Sequence, residues 1–522
     1  MNKFFFLLFM SLAPIVVAQD LSVSITKGEI FRDEKKNMEL VYAEDDGNGG
    51  HISVRAYFGG VIPMLQGYYV DRFDSELNRT QQQEIEMKMM SRDPGFIRGM
   101  SVHEGKVNLI FLRYDGKSKE VYYSVMSASV DDFNFTERRI LTFDKKEFSQ
   151  KTLVDMMYET SPFEIKNKLG GYVGFSENKN FAALSLRLKT AEGSKIKIFV
   201  FDKNFDLYYE HYVEGTGGSE IYEFNDFQLV DDDGSCYYLT KAFTKEKDQR
   251  KGRLAYHYEI GKIGKDKNVR LSRMEANDHF VGSLSLLYKY NQLVCVGYYS
   301  DLGNDWYKGV ARFDVDPNSL DVLNRAIQPF SEQFILDKFG QTKYNEIGNV
   351  KLKAFVMDPN GDITMNSETT YVVKTMKAKS MHVVKSVYHF NDIMSAKISA
   401  SGDLLWARNI NKQQSGNGKA VGYYSYTSTA KDGKVYFLIN SKDDVKMLRK
   451  DRIEFSEIGR NRANLFLIAI DENGDFSYNK IIDDRESDLS YLTINGVVSK
   501  DGSEIILSGI DGKDKQLLKL TF

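Results

Sequence analysis

Four carboxylates stand where chemistry could be done: Glu39, Asp226, Asp278 and Asp488 each lie close to the start of an apolar, strand-like run. General acid–base work on a glycosidic bond takes two carboxyl groups about 5–10 Å apart. The four fall into two pairs, Asp226 with Asp278 and Asp488 with Glu39, each drawn from neighbouring units of a repeat. Acids at strand ends are more often solvated rim residues, so the same positions also suit a surface without catalytic duty. Other chemistries find less. The seven histidines form no HxH or HExxH spacing, and His257 in "LAYHYEI" and His389 in "VYHFND" sit among strand aromatics, where packing or one hydrogen bond accounts for them. "FDVDPNSLD" (313–321) alternates Asp314, Asp316, Asn318 and Asp321 somewhat as a calcium loop does. Ser319 takes the place of the glycine such a loop needs, and no Glu follows at its twelfth position. There is no G-x-S-x-G elbow and no P-loop. No cofactor and no metal site is expected.

A stronger signal is charge sorted by segment. "TKEKDQRKGR" (244–253) carries five basic residues against two acidic, among them Lys247, Arg250 and Lys251. "KTMKAKSMHVVKS" (374–386) has four lysines, including Lys377 and Lys379, and no acid. Residues 441–462 hold seven basic against five acidic, with Arg449, Lys450 and Arg452 clustered in "VKMLRKDRIEF" (445–455), which could form a short amphipathic helix presenting Met447, Leu448 and Phe455. The whole chain is formally −3 at pH 7, so no global field draws nucleic acid or a membrane, and nucleic acid is not expected as a partner. Basic loops on such a protein suit acidic glycans, anionic headgroups or an acidic protein surface. They also suit plain solvated loops, and "YVEGTGGSEIYEF" (212–224) and "IIDDRESDLS" (481–490) add acid beside them.

These residues need a scaffold, and the first eighteen residues are not part of it. In "MNKFFFLLFMSLAPIVVA", Lys3 precedes an apolar run and "VVA" offers a small-residue cleavage site, which predicts a signal peptide over 1–18. No later segment is apolar enough to span a bilayer, so the mature chain 19–522 is expected to be exported without a transmembrane segment. Cys236 and Cys295 are too few for a disulfide framework and lie inside strand-like runs, as buried thiols would.

The scaffold is written in a repeated turn phrase. "AEDDGNGGHISV" (43–54), "VHEGKVNLIFL" (102–112), "SENKNFAALSL" (176–186), "VDDDGSCYYLT" (230–240), "YKYNQLVCVGYY" (288–299), "MDPNGDITMNS" (357–367), "AKDGKVYFLIN" (430–440) and "SKDGSEIILSG" (499–509) each predict an antiparallel hairpin, because Asp-Gly and Asn-Gly tolerate the positive φ of a tight turn. A third strand follows each hairpin and a fourth usually does, at a mean period of 65 residues between Asp46 and Asp501. Four antiparallel strands repeated at this period predict an all-β fold, a single β-propeller of seven to eight four-stranded blades, with eight favoured. The last unit stops after its third strand, and "LSVSITKGEIF" (21–31) is an alternating strand ahead of the first hairpin. Pairing 21–31 into the last blade would close the ring and remove an exposed edge. Long loops are expected on one face, at 144–171, 244–253, 325–349, 374–386 and 441–462, with Ser149 and Ser331 placed as N-caps of short helices.

"IMSAKISASGDLLWARNI" (393–410) and "LFLIAIDENGDFSYNKII" (465–482) resemble propeller repeats of the quinoprotein-like type and the repeat propellers exported by Bacteroidota. In size and export signal the chain is also similar to the periplasmic subunits and plug of the type IX secretion translocon. The resemblance implies a fold more than an activity. Quinone-binding relatives use more tryptophans than Trp306 and Trp406 supply. The expected function is therefore a non-enzymatic, periplasmic propeller that binds a protein partner, such as an outer-membrane complex, through its basic loops. A glycan-active enzyme using the four carboxylates and a sensor holding a small ligand in the channel are the alternatives.

Overall fold

The computed structural model describes residues 23–522 apart from 36, 60–63, 88–94, 149–170, 192, 216–220, 244–254, 267, 277, 302–304, 377–382, 449–451 and 459–462. The chain folds as an all-β propeller. Seven sheets are built on an antiparallel four-stranded meander from one stretch of chain, and one of them, sheet VI, adds three short strands from farther along, one joined in parallel. Sheet I runs through Asn37–Asp45, His51–Gly59, Met64–Phe73 and Arg79–Glu86. Sheets II to V repeat this order within residues 95–144, 172–212, 221–274 and 280–329, and sheets VI and VII within 350–412 and 427–482.

Burial explains the sequence pattern. Second strands are covered on both faces and read as apolar runs: His51–Gly59 and Lys106–Asp115 are buried along nearly their whole length. Fourth strands lie outermost, and Thr136–Asp144 is mostly exposed and polar. The repeated phrase forms the first hairpin of each sheet. Gly105, Gly433 and Gly502 sit at φ 70°, 77° and 75°, the left-handed region that makes glycine the natural choice there. The glycine-free third phrase turns all the same, with Lys179 at φ 61°.

Sheet VIII differs from the other seven. It is composite, made of Ser24–Lys27 and Phe31–Arg32 from the N-terminal end and Ser490–Tyr491, Val497–Val498, Glu504–Asp511 and Asp514–Thr521 from the other. The expectation of eight like blades is corrected accordingly, to seven contiguous meanders and one sheet assembled from both ends of the chain. Ser24 pairs with Thr521 and Lys27 with Leu518, a shorter antiparallel pairing than the 21–31 expected from sequence. Apolar clusters join each sheet to the next. Phe73 and Leu77 of sheet I, for example, pack on Ile506 and Leu517 of sheet VIII.

A second regularity is a β-bulge in the first strand of five sheets, between Leu40 and Tyr42, Ile97 and Gly99, Phe224 and Asp226, Val281 and Ser283, and Leu352 and Ala354. A bulge re-aims one side chain. Three of the five reach the neighbouring sheet: Arg98 donates to the Gly171 carbonyl (2.8 Å), Asn225 to that of Leu284 (2.7 Å) and Lys353 to that of Tyr426 (3.2 Å).

The helix expected after Ser331 is present at Glu332–Phe339. The Ser331 side chain accepts from the Phe334 N–H, Gly340 ends the helix at φ 66°, and Phe334 and Ile335 are buried against sheets V and VI. Ser149 lies outside the described residues. The amphipathic helix expected over 445–455 is replaced by paired strands, Val445–Met447 with Ile453–Phe455, the second of which extends sheet VI beside Asn411 and Lys412. Phe455 is consequently buried in the core and presents nothing outward.

Candidate functional site

The four carboxylates stand in different surroundings. Asp226 sits at the bulge of its inner strand, where its carboxylate accepts from the N–H groups of Phe227 (2.9 Å) and Leu286 (3.1 Å), the second in sheet V. It is a bridge between two first strands, and burial pushes its pKa up to about 6. Glu39 faces the interior from the first strand of sheet I, with one carboxylate oxygen buried and unpartnered, and burial raises it to about 7. Asp278 and Asp488 are exposed in the connections ahead of their sheets. Among the described residues no contact joins Asp226 to Asp278 or Glu39 to Asp488. The thiols of Cys236 and Cys295 are free and buried. Asp316 caps its own turn through the N–H groups of Asn318 and Ser319, while Asp314 holds Arg312. No group of three His, Cys, Asp or Glu side chains that could hold a metal occurs among the described residues.

Of the basic residues, Lys247, Arg250, Lys251, Lys377, Lys379, Arg449 and Lys450 lie outside the described residues. Arg452 is described and corrects its expected role. Its guanidinium donates to the carbonyls of Asp337 and Lys338 (3.3 and 2.8 Å) at the end of helix Glu332–Phe339, so it serves as a helix cap.

The sequence-based boundary at 374 misses the main feature of this face. The second and third strands of sheet VI, Ile363–Met376 and Val383–Ile398, are 14 and 16 residues long, where no strand of the other sheets exceeds 10. They continue past the end of their own first strand as an arm from Thr370–Phe390 outward, joined at its foot by Gln414–Gly416 and two-stranded beyond Val372–Tyr388. Tyr371, Val372 and Val373 are 37%, 42% and 47% exposed. Successive strand residues point to opposite faces, so the arm is covered on neither. Tyr371 stacks on His389 across the arm (4.4 Å, 9°). The signal in the sequence was the run "ETTYVVKTM", apolar and β-branched well past the length of a blade strand.

At the foot of the arm lies a buried charge cluster that sequence reasoning did not find. Glu368 and Lys412 pair at 2.6 Å, both fully buried, and Lys412 also donates to the Phe390 carbonyl. Ser425, held at φ 65°, donates to Glu368 (2.6 Å) and accepts from the Lys353 ammonium, which lies 4.2 Å over the Tyr426 ring. Burial lowers the pKa of Lys412 and of Lys353. Ser425 is fully buried, and its contact with Lys353 ties sheets VI and VII together.

At the opposite end, the first turns of six sheets converge on a cavity of about 850 Å³. An antiparallel meander puts its first and third turns at one end and its second at the other, so this mouth faces away from the arm. Its charges are largely spent on each other. Glu44 pairs with Lys179 and accepts from Val102 N–H (2.7 Å), while Lys500 reaches Glu177 (3.9 Å) and Lys519 reaches Glu504 (3.6 Å). His51 at its wall stacks on Phe73, and burial, helped by Lys519, lowers its pKa to about 4.

No protein-family model and no curated protein sequence matches the chain. Among solved structures it is similar to the β-propeller domain of the Trilobed protease from Pyrococcus furiosus, at 10% identity and TM-score 0.37 over 87% of this chain and 98% of that one. It is likewise similar to prolyl oligopeptidase B from Galerina marginata (8%, TM-score 0.39, 92% and 56%) and to polysaccharide lyase Uly1 (10%, TM-score 0.36, 81% and 89%). No helix among the described residues is long and apolar enough to cross a membrane.

Proposed function

We propose that this chain is an exported, non-enzymatic propeller acting in the periplasm as a protein-interaction subunit, with the arm-bearing face as its contact surface. One observation carries the reading: a two-stranded arm with apolar residues exposed on both faces. An isolated two-stranded ribbon is marginal in water, so such an arm is best explained by something that covers it. The glycan-active alternative draws less support, because the Asp226 carboxylate is already engaged by two backbone N–H groups. The strand at Ser24–Lys27, paired with Asp514–Thr521, is proposed to close the ring. The signal-peptide pattern of 1–18 supports export, and the likeness of the repeats to those of Bacteroidota propellers, with a size and export signal like those of type IX translocon subunits, makes an outer-membrane assembly the proposed context. The test is affinity purification of the tagged native protein from gently solubilised envelopes. A stoichiometric partner, lost when Lys374, Lys377, Lys379, Arg449 and Lys450 are changed to Glu, is the expected result. A clean monomer with no partner would overturn the reading and turn attention to glycan-degradation assays on Asp226→Asn and Asp278→Asn.

A further inference from the structure

We infer that the outer edge of the arm, Thr370–Lys374, binds its partner by strand addition, and that the partner is an acidic, extended protein segment; this rests on the partner-binding reading above. The backbone geometry gives the edge. The first strand of sheet VI pairs with the second only as far as Val350 opposite Thr369. One further bond, from Thr370 N–H to the Asn349 carbonyl (2.9 Å), points the same way. From Thr370 to Thr375 the pairing to the third strand is unbroken, from Phe390 back to Lys385. Strand residues alternate in the side to which they turn their peptide groups. The N–H and C=O of Val372 and Lys374 therefore point outward with those of Thr370, and among the described residues no strand meets them. The arm's other edge is different: Tyr388–Phe390 is already paired with Gln414–Gly416. The outer edge is thus open along its whole length from Thr370, whereas the other is taken at its foot and open only beyond Tyr388.

Chemistry selects the partner. Proteins blunt open edges with lysines, prolines, bulges or covers. Here the edge carries Lys374, beside a straight run of Tyr371, Val372 and Val373 that no bulge interrupts. The paired strand segments 370–376 and 383–390 hold Lys374 and Lys385 and no acidic residue. A lysine-flanked edge repels a second copy of itself and favours a strand of opposite charge, while exposed apolar side chains on both faces favour a partner with Val, Ile or Thr between its acids. Main-chain hydrogen bonds would supply affinity and the alternation of side chains specificity.

The test uses the mature full-length protein and a fluorescein-labelled nine-residue peptide alternating Glu with Val and Thr, read by fluorescence anisotropy. The expected result is saturable binding, at least tenfold weaker for the same peptide with Lys in place of Glu. Val372→Pro removes an outward N–H without touching the ladder to the third strand, so it should lower affinity at least tenfold with the thermal midpoint unchanged. Should that variant misfold, Lys374→Glu, an exposed change, should reverse the preference between the two peptides. Failure of the wild type to bind the acidic peptide, or undiminished binding by well-folded Val372→Pro, overturns the inference. Concentration-dependent dimerisation abolished by Val372→Pro, with no acidic-peptide binding, would assign the edge to a second copy and overturn it as well. A partner that co-purifies with the wild type and with Val372→Pro alike leaves the broader reading standing while this one falls.

Discussion

At the junction of sheets VIII and I two arginines meet two aspartates; at the junction of VI and VII two lysines meet one glutamate. Arg55 pairs with Asp33 and Asp71 (2.8 Å to the latter), all three buried, and Arg79 reaches Asp33 at 3.2 Å. The Phe31 ring lies against both guanidinium groups, 4.9 and 4.5 Å from them. The N-terminal segment is thereby clasped onto sheet I while its neighbours pair with sheet VIII. The second cluster, Lys412 and Lys353 around Glu368, carries one positive charge in excess. Equal charge makes a clasp. Unequal charge, placed beneath the lysine-rich arm, makes a ground of one sign. Burying ions costs several kcal/mol each, so neither cluster adds much net stability, but breaking either one strands a charge.

The ratio decides how each should fail. Glu368→Gln leaves two ammonium groups without an anion and should destabilise the fold by about 4 kcal/mol in urea unfolding. Asp33→Asn leaves Asp71 on Arg55, so its cost should be about half of that, ~2 kcal/mol. Equal losses would break the comparison, showing that hydrogen-bond count and not charge balance governs both sites.

The junctions should also differ in acid. His51 beside Lys519 belongs to the first, with its pKa lowered by burial from 6.5 to about 4. Its contribution to stability is present above 6.5 and lost as pH falls toward 4, up to about 3 kcal/mol at ~1.4 kcal/mol per pKa unit. Glu39, in the same sheet, is raised from 4.5 to about 7, so its contribution is present below 4.5 and lost as pH rises through 7. Over pH 4.5–6.5 these two slopes oppose, and Asp226, raised to about 6, adds a slope of the same sign as that of Glu39, so each variant is read as its difference from the wild type. Glu39→Gln should expose the His51 slope, with stability falling as pH falls, and His51→Phe the reverse. Parallel slopes in both variants would show that neither group is buried as described.

How much of this was legible in sequence follows from what carries period and what does not. The Asp-Gly turns, the apolar second strands and the Ser331 cap are local, and each produced its element as expected. Two errors came from segments where local signals conflict. Residues 445–455 read as an amphipathic helix by charge and apolar spacing, yet Val445, Ile453 and Phe455 are β-formers, and pairing beside Asn411 decides the outcome. The arm was cut at Lys374 because a lysine-rich stretch looks like a loop, whereas the backbone stays paired to Met376. The surroundings of Asp226 were hidden for a different reason: a bulge turns it onto the next sheet's backbone, and bulges leave no mark in composition. Glu368, Lys412 and Ser425 are 57 residues apart at the extremes and meet only through tertiary packing.

The smallest change sharpens the comparison most. Lys353 is the excess charge of the second cluster and, at the same time, the bulge residue of its strand, one of three that reach the neighbouring sheet. If charge balance governs, Lys353→Met leaves Glu368 and Lys412 as a matched pair, with Ser425 still donating to Glu368, and keeps an apolar stem over the Tyr426 ring. Stability should then change by less than about 1 kcal/mol in either sense, because the lost ion contact at 3.6 Å is a long one and one fewer ammonium is desolvated. If the bulge contacts govern, the same substitution removes the bonds to Ser425 and the Tyr426 carbonyl and should cost as much as Arg98→Met does in sheet II. Arg98→Met loses the bond to the Gly171 carbonyl. Unfolding midpoints of the two variants side by side therefore separate the readings: a near-neutral Lys353→Met beside a costly Arg98→Met makes the second cluster a matter of charge, and two equal losses make it one more pin between sheets.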